Sequence, residues 1–224
     1  MSARDDILFG IRNALRVNGA EAPRRAAVEA RLSGAPRGVT PARGQLEGKE
    51  RIGLFRKMAE GAFASVAVVS DANEAPAEAA RWLRDNNLPA TLRMGADKRL
   101  AAMPWSATAL DMAQGPSDGR DLNAVSHAFG GVAESGTLIM TSGPENPSTL
   151  NFLPDNHIVV LSGADLKGDY ESVFDRLREK YGKGAMPRTV NMITGPSRSA
   201  DIAQTMLLGA HGPRKLHIVI VDDL

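Results

Sequence analysis

The sequence has no cysteine, few aromatic residues and no long apolar run. Without cysteine the chain can form neither a disulfide nor a thiolate zinc site, and it lacks the usual thiolate ligands of an iron–sulfur cluster. Redox chemistry would therefore need a partner or a bound cofactor. No stretch approaches the ~20 apolar residues of a membrane span, and the first residues lack the basic-then-apolar layout of a secretory signal. We expect a cytoplasmic protein with no membrane span.

The 224 residues are 43% hydrophobic and nearly neutral overall, with 27 Lys and Arg against 26 Asp and Glu. This composition and length favour one large globular domain with extra terminal elements. The charge is uneven, because residues 1–60 carry a formal charge of +5 and residues 61–224 one of −4. A basic arm could dock on an acidic partner or on nucleic acid. The arginines of this arm are not interspersed with aromatic residues on which bases could stack. We therefore favour a solvated helix and linker, and we expect no nucleic-acid partner.

The first 45 residues are predicted to be a helix followed by a linker. Ile7, Leu8, Ile11 and Leu15 fall on one helical stripe, and Ser2 is available as the N-cap. Residues 18–45 mix Gly, Pro, Ala and Arg with few large apolar side chains, which predicts a linker or loosely packed loop. The helix would pack either on its own domain or on another subunit. The predicted domains are 1–45 and 46–224.

From residue 46 onward helical and extended patterns alternate. The spacing of apolar residues predicts helices over 46–63, 74–87, 169–181 and about 199–208. Strands are predicted over 64–70, 89–94, 107–112, 137–141, 157–161, 189–194 and 215–222, while 123–133 is ambiguous because two glycines interrupt it. The runs at 137–141 and 157–161 are typical of strands buried on both faces of a parallel sheet. The alternation predicts a three-layer α/β fold with a mostly parallel sheet flanked by helices.

The loop before the run at 137–141 is the first candidate for a ligand site. Ligands of open α/β sheets sit outside the carboxyl ends of the strands, so the loops that follow strands are the first place to look. Glu134 supplies a carboxylate, and Ser135 and Thr137 supply two hydroxyls, beside Gly136, a glycine that lets a backbone approach a ligand closely. The alternative is a tight turn with a surface glutamate.

A second candidate loop follows the strand predicted at 189–194. Backbone N–H groups at a helix start bind anions, and Ser197 and Arg198 would add donors suited to phosphate or carboxylate. Gly195 would allow the turn, and Asp201 would lie in the first turn of the predicted helix. The structural alternative is that a serine only caps this helix, Asp201 complements its dipole and Arg198 is solvated.

Common nucleotide, hydrolase and metal motifs are absent from the chain. It has no G-x-x-x-x-G-K-[ST], no G-x-G-x-x-G after a strand and no G-x-S-x-G. The four histidines show no H-E-x-x-H spacing, and no metal site is expected. His157 and His217 lie in apolar strands and are interpreted as packed residues, whereas His211 lies in a loop that could reach a pocket.

Four ordered motifs in the second half resemble the lactate-utilisation protein C family, also called the LUD domain. They are ESGT at 134–137, LPDNHIVV at 153–160, GPSRSADI at 195–202 and GAHGPRKLHIVIV at 209–221. The resemblance covers roughly residues 120–224. It implies a fold similar to the sugar-phosphate isomerase and coenzyme A transferase superfamily.

The resemblance also implies a role beside two partner proteins in oxidising L-lactate to pyruvate. The partners would hold the iron–sulfur clusters, and this chain alone would bind no cofactor. It assigns no catalytic residue. The family motif positions that fall on loops are Glu134, Gly136 and Thr137 in the first loop, Gly195, Pro196, Ser197, Arg198 and Asp201 in the second, and His211, Gly212 and Pro213 in the third. These three segments are expected to converge on one hollow that binds a small anionic ligand.

Two other functions stay open at this point. In one, the chain is a free-standing enzyme of the coenzyme A transferase or sugar-phosphate isomerase type that acts on a phosphorylated or acyl-CoA substrate. Glu-Ser-Gly at 134–136 is loosely similar to the Glu-Asn-Gly around the nucleophilic glutamate of coenzyme A transferases, and a glutamate in a dry pocket can form an acyl anhydride. In the other, the basic N-terminal quarter makes the chain a nucleic-acid or regulatory module.

Overall fold

The structure is a computed structural model, and it describes residues 2–34, 36–200 and 206–223. The chain divides into two compact units, Met1–Val39 and Thr40–Leu224. Each unit has its own elements. The second unit contains every sheet of the described chain.

The first unit consists of two helices, α1 (Ala3–Leu15) and α2 (Ala22–Gly34). Helix α1 begins as predicted, because Ser2 and Asp5 form a reciprocal capping box. The linker prediction for 18–45 is wrong over α2. Its Ala, Arg and Glu residues are good helix formers, so the backbone orders without a large apolar face. Neither helix contains a buried residue.

The second unit alternates helices and strands, mostly where the sequence predicts them. Its helices are α3 (Gly48–Gly61), α4 (Ala75–Asp85), α5 (Lys98–Ala101), α6 (Thr149–Phe152) and α7 (Tyr170–Tyr181). Its strands are β1 (Ser65–Val69), β2 (Thr91–Met94), β3 (Asp111–Gln114), β4 (Asn123–His127), β5 (Gly130–Val132), β6 (Thr137–Thr141), β7 (Asn156–Ser162), β8 (Leu166–Lys167), β9 (Val190–Ile193), β10 (Arg198–Ala200), β11 (Met206–Leu208) and β12 (Lys215–Val221). Helix α7 has the predicted limits, since Asp169 caps its start and Gly182 ends it.

The main sheet has six strands in the order β1-β12-β7-β4-β2-β3, and all its neighbours are parallel. Its central strands are buried on both faces. In β12, Leu216, Ile218 and Ile220 pack on the face covered by α3, and Val219 and Val221 on the face covered by α4 and α5. Alternating apolar side chains on both faces explain why the strand reads as a continuous apolar run. The three-layer α/β prediction is confirmed.

A second, four-stranded sheet of order β8-β5-β6-β9 was not foreseen. Strand β6 pairs antiparallel with both β5 and β9, so its assignment to a parallel sheet is wrong. Its run is apolar because one face joins the core shared with α3 and the main sheet, while Ile139 joins a cluster with α7. Burial on both faces gives the same sequence pattern whichever way the neighbouring strands run.

Three local predictions change in the structure. The helix expected at 199–208 is wrong, because Arg198–Ala200 pairs antiparallel with Met206–Leu208. Short apolar segments do not distinguish helix from strand by periodicity, and pairing across the hairpin decides the outcome. The strand expected at 107–112 begins at Asp111, since residues 105–107 form a 3-10 turn closed by the Ala107 N–H on the Pro104 carbonyl at 3.0 Å. The ambiguous stretch 123–133 resolves into β4 and β5.

Within the part of the chain that the structure describes, no helix is both long enough and apolar enough to cross a membrane.

Candidate functional site

The first predicted loop contains a network of four hydroxyl groups. Thr137 is fully buried, and its Oγ1 lies 2.8 Å from Ser135 Oγ, 2.9 Å from the Tyr170 hydroxyl and 2.6 Å from Thr194 Oγ1. Ser135 Oγ also donates to the Tyr170 hydroxyl at 3.0 Å. The network joins β6, the start of α7 and the end of β9, so Thr137 holds three elements together.

Replacing Thr137 with valine is expected to lower the free energy of unfolding by about 1–3 kcal/mol. The substitution keeps the side-chain shape but leaves the hydroxyl groups of Tyr170 and Thr194 without their shared partner. Thr149→Val is a matched control, because Thr149 Oγ1 is buried and has no hydrogen-bond partner among the described residues. Urea unfolding should show the loss only for Thr137→Val. Equal effects of the two substitutions would contradict the network's role.

Glu134, the predicted carboxylate of this loop, is buried and covered by the segment that precedes α3. Its side chain is 6% exposed, and its nearest cation is Arg43, with Nε 3.9 Å from Oε2. Among the described residues no hydrogen-bond donor reaches Oε2. Gly44 and Gly168 pass in close contact beside it. An acyl donor would reach this carboxylate only if residues 42–45 moved, so acyl transfer at Glu134 stays a prediction.

Two predicted glycines, Gly136 and Gly195, lie against the C-terminal end of α3. Both have a positive φ, of 67° and 78°. A Cβ on Gly136 would lie 2.4 Å from the Ala59 nitrogen, and one on Gly195 would lie 2.0 Å from the Ala62 oxygen. The backbone conformation and the close helix explain why glycine occupies these positions. The structure thus gives both a packing role, and contact with a ligand stays a prediction.

The second and third predicted segments are in direct contact. The Ser197 N–H donates to the Pro213 carbonyl at 2.8 Å, and the His211 N–H donates to Ser197 Oγ at 3.2 Å. A Cβ on Gly212 would lie 3.6 Å from the Ser197 Cβ. Ser197 therefore binds the backbone of the third segment. Since β10 replaces the expected helix, residues 195–198 do not form the predicted helix start, and anion binding by these residues stays a prediction. Asp201 lies outside the described residues.

Arg198 lines a cavity of about 450 Å³ at the amino edge of the main sheet, which we call the amino-edge cavity. Ser65 begins β1 and Lys215 begins β12, and both line it. Neither Glu134 nor His211 is among its lining residues. The three predicted segments are in contact, but of their side chains only those of the second segment line this cavity.

A second cavity, of about 470 Å³, lies at the opposite edge, where β4 and β2 end. We call it the carboxyl-edge cleft. Its polar and aromatic lining includes Asp97, Arg99, His127, Phe129, Asn146, Lys180 and Tyr181. This is the edge at which open α/β sheets bind ligands, because successive strands end there and their loops diverge.

His127 is the last residue of β4 and is 5% exposed. Its Nδ1 lies 2.8 Å from the Ala128 carbonyl, which can only accept, so Nδ1 carries the proton. The neutral ring therefore keeps Nε2 as a hydrogen-bond acceptor. Burial, and secondarily the nearby Arg99 charge, lower the pKa of His127, which holds the ring in this neutral form.

Two carboxylates orient Arg99 at the mouth of the cleft. Its Nη2 donates to Asp97 Oδ2 at 3.0 Å, and its Nη1 to Asp165 Oδ2 at 3.4 Å. Its Nε donates to Asp97 Oδ1 at 3.3 Å. Burial by itself would raise the pKa of Asp97, but the hydrogen bonds and charge of Arg99 outweigh it and lower that pKa. Three of the five guanidinium donors bind described carboxylates, and the other two are the donors that a ligand could engage.

A second cation stands over the aromatic rings of the cleft. Lys180 Nζ lies 5.2 Å from the centre of the Phe129 ring and 5.4 Å from that of Tyr181. Contact with ring faces holds an ammonium group without neutralising its charge. The cleft thus combines a neutral imidazole, two cations, the carboxylates of Asp97 and Glu145, and an apolar wall.

Sequence reasoning did not select any of these cleft residues. The signal that could have found His127 is its place at the end of a strand of the parallel sheet, but the segment 123–133 was ambiguous from its glycines. Asp97 caps the four-residue helix α5, which carries too little pattern to be recognised. In residues 2–34, 36–200 and 206–223, no three His, Asp or Glu side chains are grouped so as to hold a metal ion.

The parallel α/β core with an appended second sheet is a known arrangement. A crystal structure of a DUF162 family protein from Deinococcus radiodurans superposes with a TM-score of 0.59 at 20% identity, over 79% of this chain and 99% of that one. At this identity the likeness shows the fold alone. The LUD-domain sequence profile matches residues 123–221, so this part of the chain is similar to LUD domains.

Curated relatives match about two fifths of the chain. An uncharacterised protein from Neisseria meningitidis serogroup B is 37% identical over 91 residues, which are 41% of this chain and 38% of that protein. Lactate utilization protein C from Geobacillus thermodenitrificans is 37% identical over 93 residues, 41% of this chain and 39% of the relative. The protein of that name from Bacillus subtilis is 32% identical over 93 residues. The match therefore spans about two fifths of the relatives' length.

Proposed function

We propose that this protein acts in L-lactate utilisation and that its carboxyl-edge cleft binds a small 2-hydroxy or 2-oxo carboxylate. The names of the relatives that match the LUD domain support the first part. The observation that carries the second is the neutral His127 ring beside two cations at the carboxyl edge of the sheet.

The chemistry of lactate matches the groups in the cleft. Its carboxylate would accept from the two unused donors of Arg99 and from Lys180, because charge-assisted hydrogen bonds are the stronger ones. Its hydroxyl would donate to Nε2 of His127. Its methyl group would lie on the apolar wall that Phe129 provides. The neutral imidazole can also accept the hydroxyl proton as the alcohol becomes a ketone.

We further propose that the protein is a subunit or accessory protein and that a partner takes up the electrons. Oxidation of lactate to pyruvate releases two electrons and two protons. The chain has no cysteine, so it offers no thiolate ligands for an iron–sulfur cluster that could accept those electrons. The purified chain is therefore expected to bind L-lactate without oxidising it, and oxidation is expected to require an iron–sulfur partner.

Gene deletion followed by complementation tests this proposal. The deletion strain should lose growth on L-lactate and keep growth on pyruvate, and the wild-type chain should restore it. His127→Gln and Lys180→Met should fail to restore growth, because the first removes the imidazole base that would accept the hydroxyl proton and the second removes a carboxylate-binding cation. Purified Lys180→Met should bind L-lactate about tenfold more weakly than wild type in a calorimetric titration.

Lys57→Met is the matched control for this test. Lys57 lies exposed on α3 and lines neither cavity, so the variant should restore growth and bind like wild type. Undiminished growth of the deletion strain on L-lactate would refute the role in lactate utilisation. Normal growth with both cleft variants would refute the cleft as the binding site.

A further inference from the structure

The amino-edge cavity concentrates positive charge at the edge of the main sheet opposite to the carboxyl-edge cleft. Four cationic side chains line it, together with one carboxylate, that of Asp85. The four cationic residues are Arg81, Arg198, Arg214 and Lys215. Its volume of about 450 Å³ lies within the range of small-ligand pockets.

The cations differ in how far the protein itself neutralises them. Arg81 forms ion pairs with both Glu78 and Asp85, and these pairs raise its pKa. Lys215 Nζ instead donates to the neutral Asn86 Oδ1 at 2.8 Å. Arg214 is 64% exposed and lies 3.8 Å from an Asp155 oxygen. An amide oxygen orients an ammonium group without neutralising it, so no ion pair with another described residue cancels the charge of Lys215 at the cavity.

Arg198 is oriented by an aromatic ring. Its guanidinium carbon lies 3.2 Å from the centre of the Phe63 ring. A guanidinium stacked on an aromatic face keeps its N–H donors in the guanidinium plane, where they can bind the paired oxygens of a phosphate. Contact with the ring thus restricts the orientation of the Arg198 guanidinium and of its N–H donors.

Phe63 occupies a backbone conformation that normally selects glycine. Its φ is 70°, at the turn that ends α3, and its side chain is 61% exposed. A bulky residue in the left-handed region is a genuine outlier and carries a conformational cost. Burial of the ring does not offset this cost. The contact between the Phe63 ring and the Arg198 guanidinium is the interaction that accounts for a phenylalanine at this position.

We propose that the amino-edge cavity binds the diphosphate group of a small ligand, through Arg198, Arg214 and Lys215. A diphosphate presents several charged oxygens and can engage three cations together, whereas one carboxylate engages only one or two of them. The site is separate from the cleft proposed for lactate, since the two cavities open at opposite edges of the sheet and share no lining residue.

Calorimetric titration with inorganic pyrophosphate tests the proposal. The wild-type chain should bind it, and Lys215→Gln and Arg198→Gln should each weaken binding about tenfold or more. Lys57→Gln, which alters an exposed lysine outside the cavity, should bind like wild type. ADP is titrated in parallel: tighter binding than pyrophosphate supports a nucleotide as the source of the diphosphate, and equal binding supports recognition of the diphosphate alone.

Phe63→Gly separates a binding role from a structural one. Glycine relieves the positive φ, so the variant should unfold at the same or a higher urea concentration than wild type, while its affinity for pyrophosphate falls. Undetectable pyrophosphate binding by the wild type would overturn the proposal, as would unchanged affinity in both cation variants. So would binding of acetate as tight as that of pyrophosphate. None of these results depends on whether the chain acts in lactate utilisation.

Discussion

Gly136→Ala is expected to destabilise the protein by about 3 kcal/mol or more. The new Cβ would lie 2.4 Å from the Ala59 nitrogen and 2.7 Å from the Met58 carbonyl carbon, both of which belong to the backbone of α3 and cannot rotate away. The φ of 67° adds a second penalty for any residue with a Cβ. Overpacking and backbone strain both act here, so the loss exceeds that of either one alone. Urea unfolding with a free-energy extrapolation measures the loss.

Gly53→Ala is the matched control for this prediction. Gly53 lies within α3, and a Cβ there would meet no atom within 4 Å. Alanine is the better helix former, so this variant should be more stable than wild type by about 0.5–1 kcal/mol. Opposite signs for the same substitution would show that contact, rather than loss of glycine, causes the effect. A Gly136→Ala protein as stable as wild type would disprove the close approach of the loop to α3.

Acidification from pH 7 to pH 5 is expected to destabilise the wild-type chain by about 2 kcal/mol more than His157→Gln. His157 is fully buried, and burial lowers its pKa to about 3. The unfolded chain takes up a proton on this residue below about pH 6.5, whereas the folded chain does not. The contribution of His157 is therefore complete above pH 6.5 and declines as the pH falls towards 3.

The slope of stability against pH distinguishes this effect from a simple packing defect. His157→Gln changes the starting stability, but it should also flatten the slope between pH 6.5 and pH 5. Thr149→Val, which removes no titratable group, should keep the wild-type slope. His217 adds a similar slope to every variant, since burial lowers its pKa to about 4. Parallel stability curves for wild type and His157→Gln would rule the explanation out.

The regular part of the fold could be predicted because local pattern and tertiary environment agree there. Helix α7 has a clear apolar spacing with a cap at Asp169 and a stop at Gly182, and the structure keeps all three. The strands at β7 and β12 are apolar because both of their faces are buried. Strand β6 shows the limit of this reasoning. It is antiparallel to β5, which precedes it across a short turn, and to β9, which is distant in the sequence, and its own apolar residues encode neither pairing.

The candidate site could be predicted only in part. The motif segments at 134–137, 195–198 and 209–213 do come together through Thr137, Thr194 and Ser197. The sequence pattern at 199–208 predicts a helix that starts near Arg198, whereas the pairing of 198–200 with 206–208, which that pattern does not encode, places Arg198 in a strand at the amino edge of the sheet. His127, in contrast, carries no motif. It becomes a candidate only when β4 is known to be a central parallel strand, which is a property of the assembled sheet.

Strand β12 starts at the amino-edge cavity with Lys215 and runs parallel to β4, whose last residue borders the cleft. Seven residues at about 3.3 Å each separate the two edges by roughly 20 Å. Atoms bound at one edge are therefore out of reach of atoms bound at the other, and no group can pass directly between the two occupants. The affinity for lactate should therefore be the same in the presence and absence of saturating pyrophosphate. Competition between the two ligands in a titration would mean that they bind at the same site.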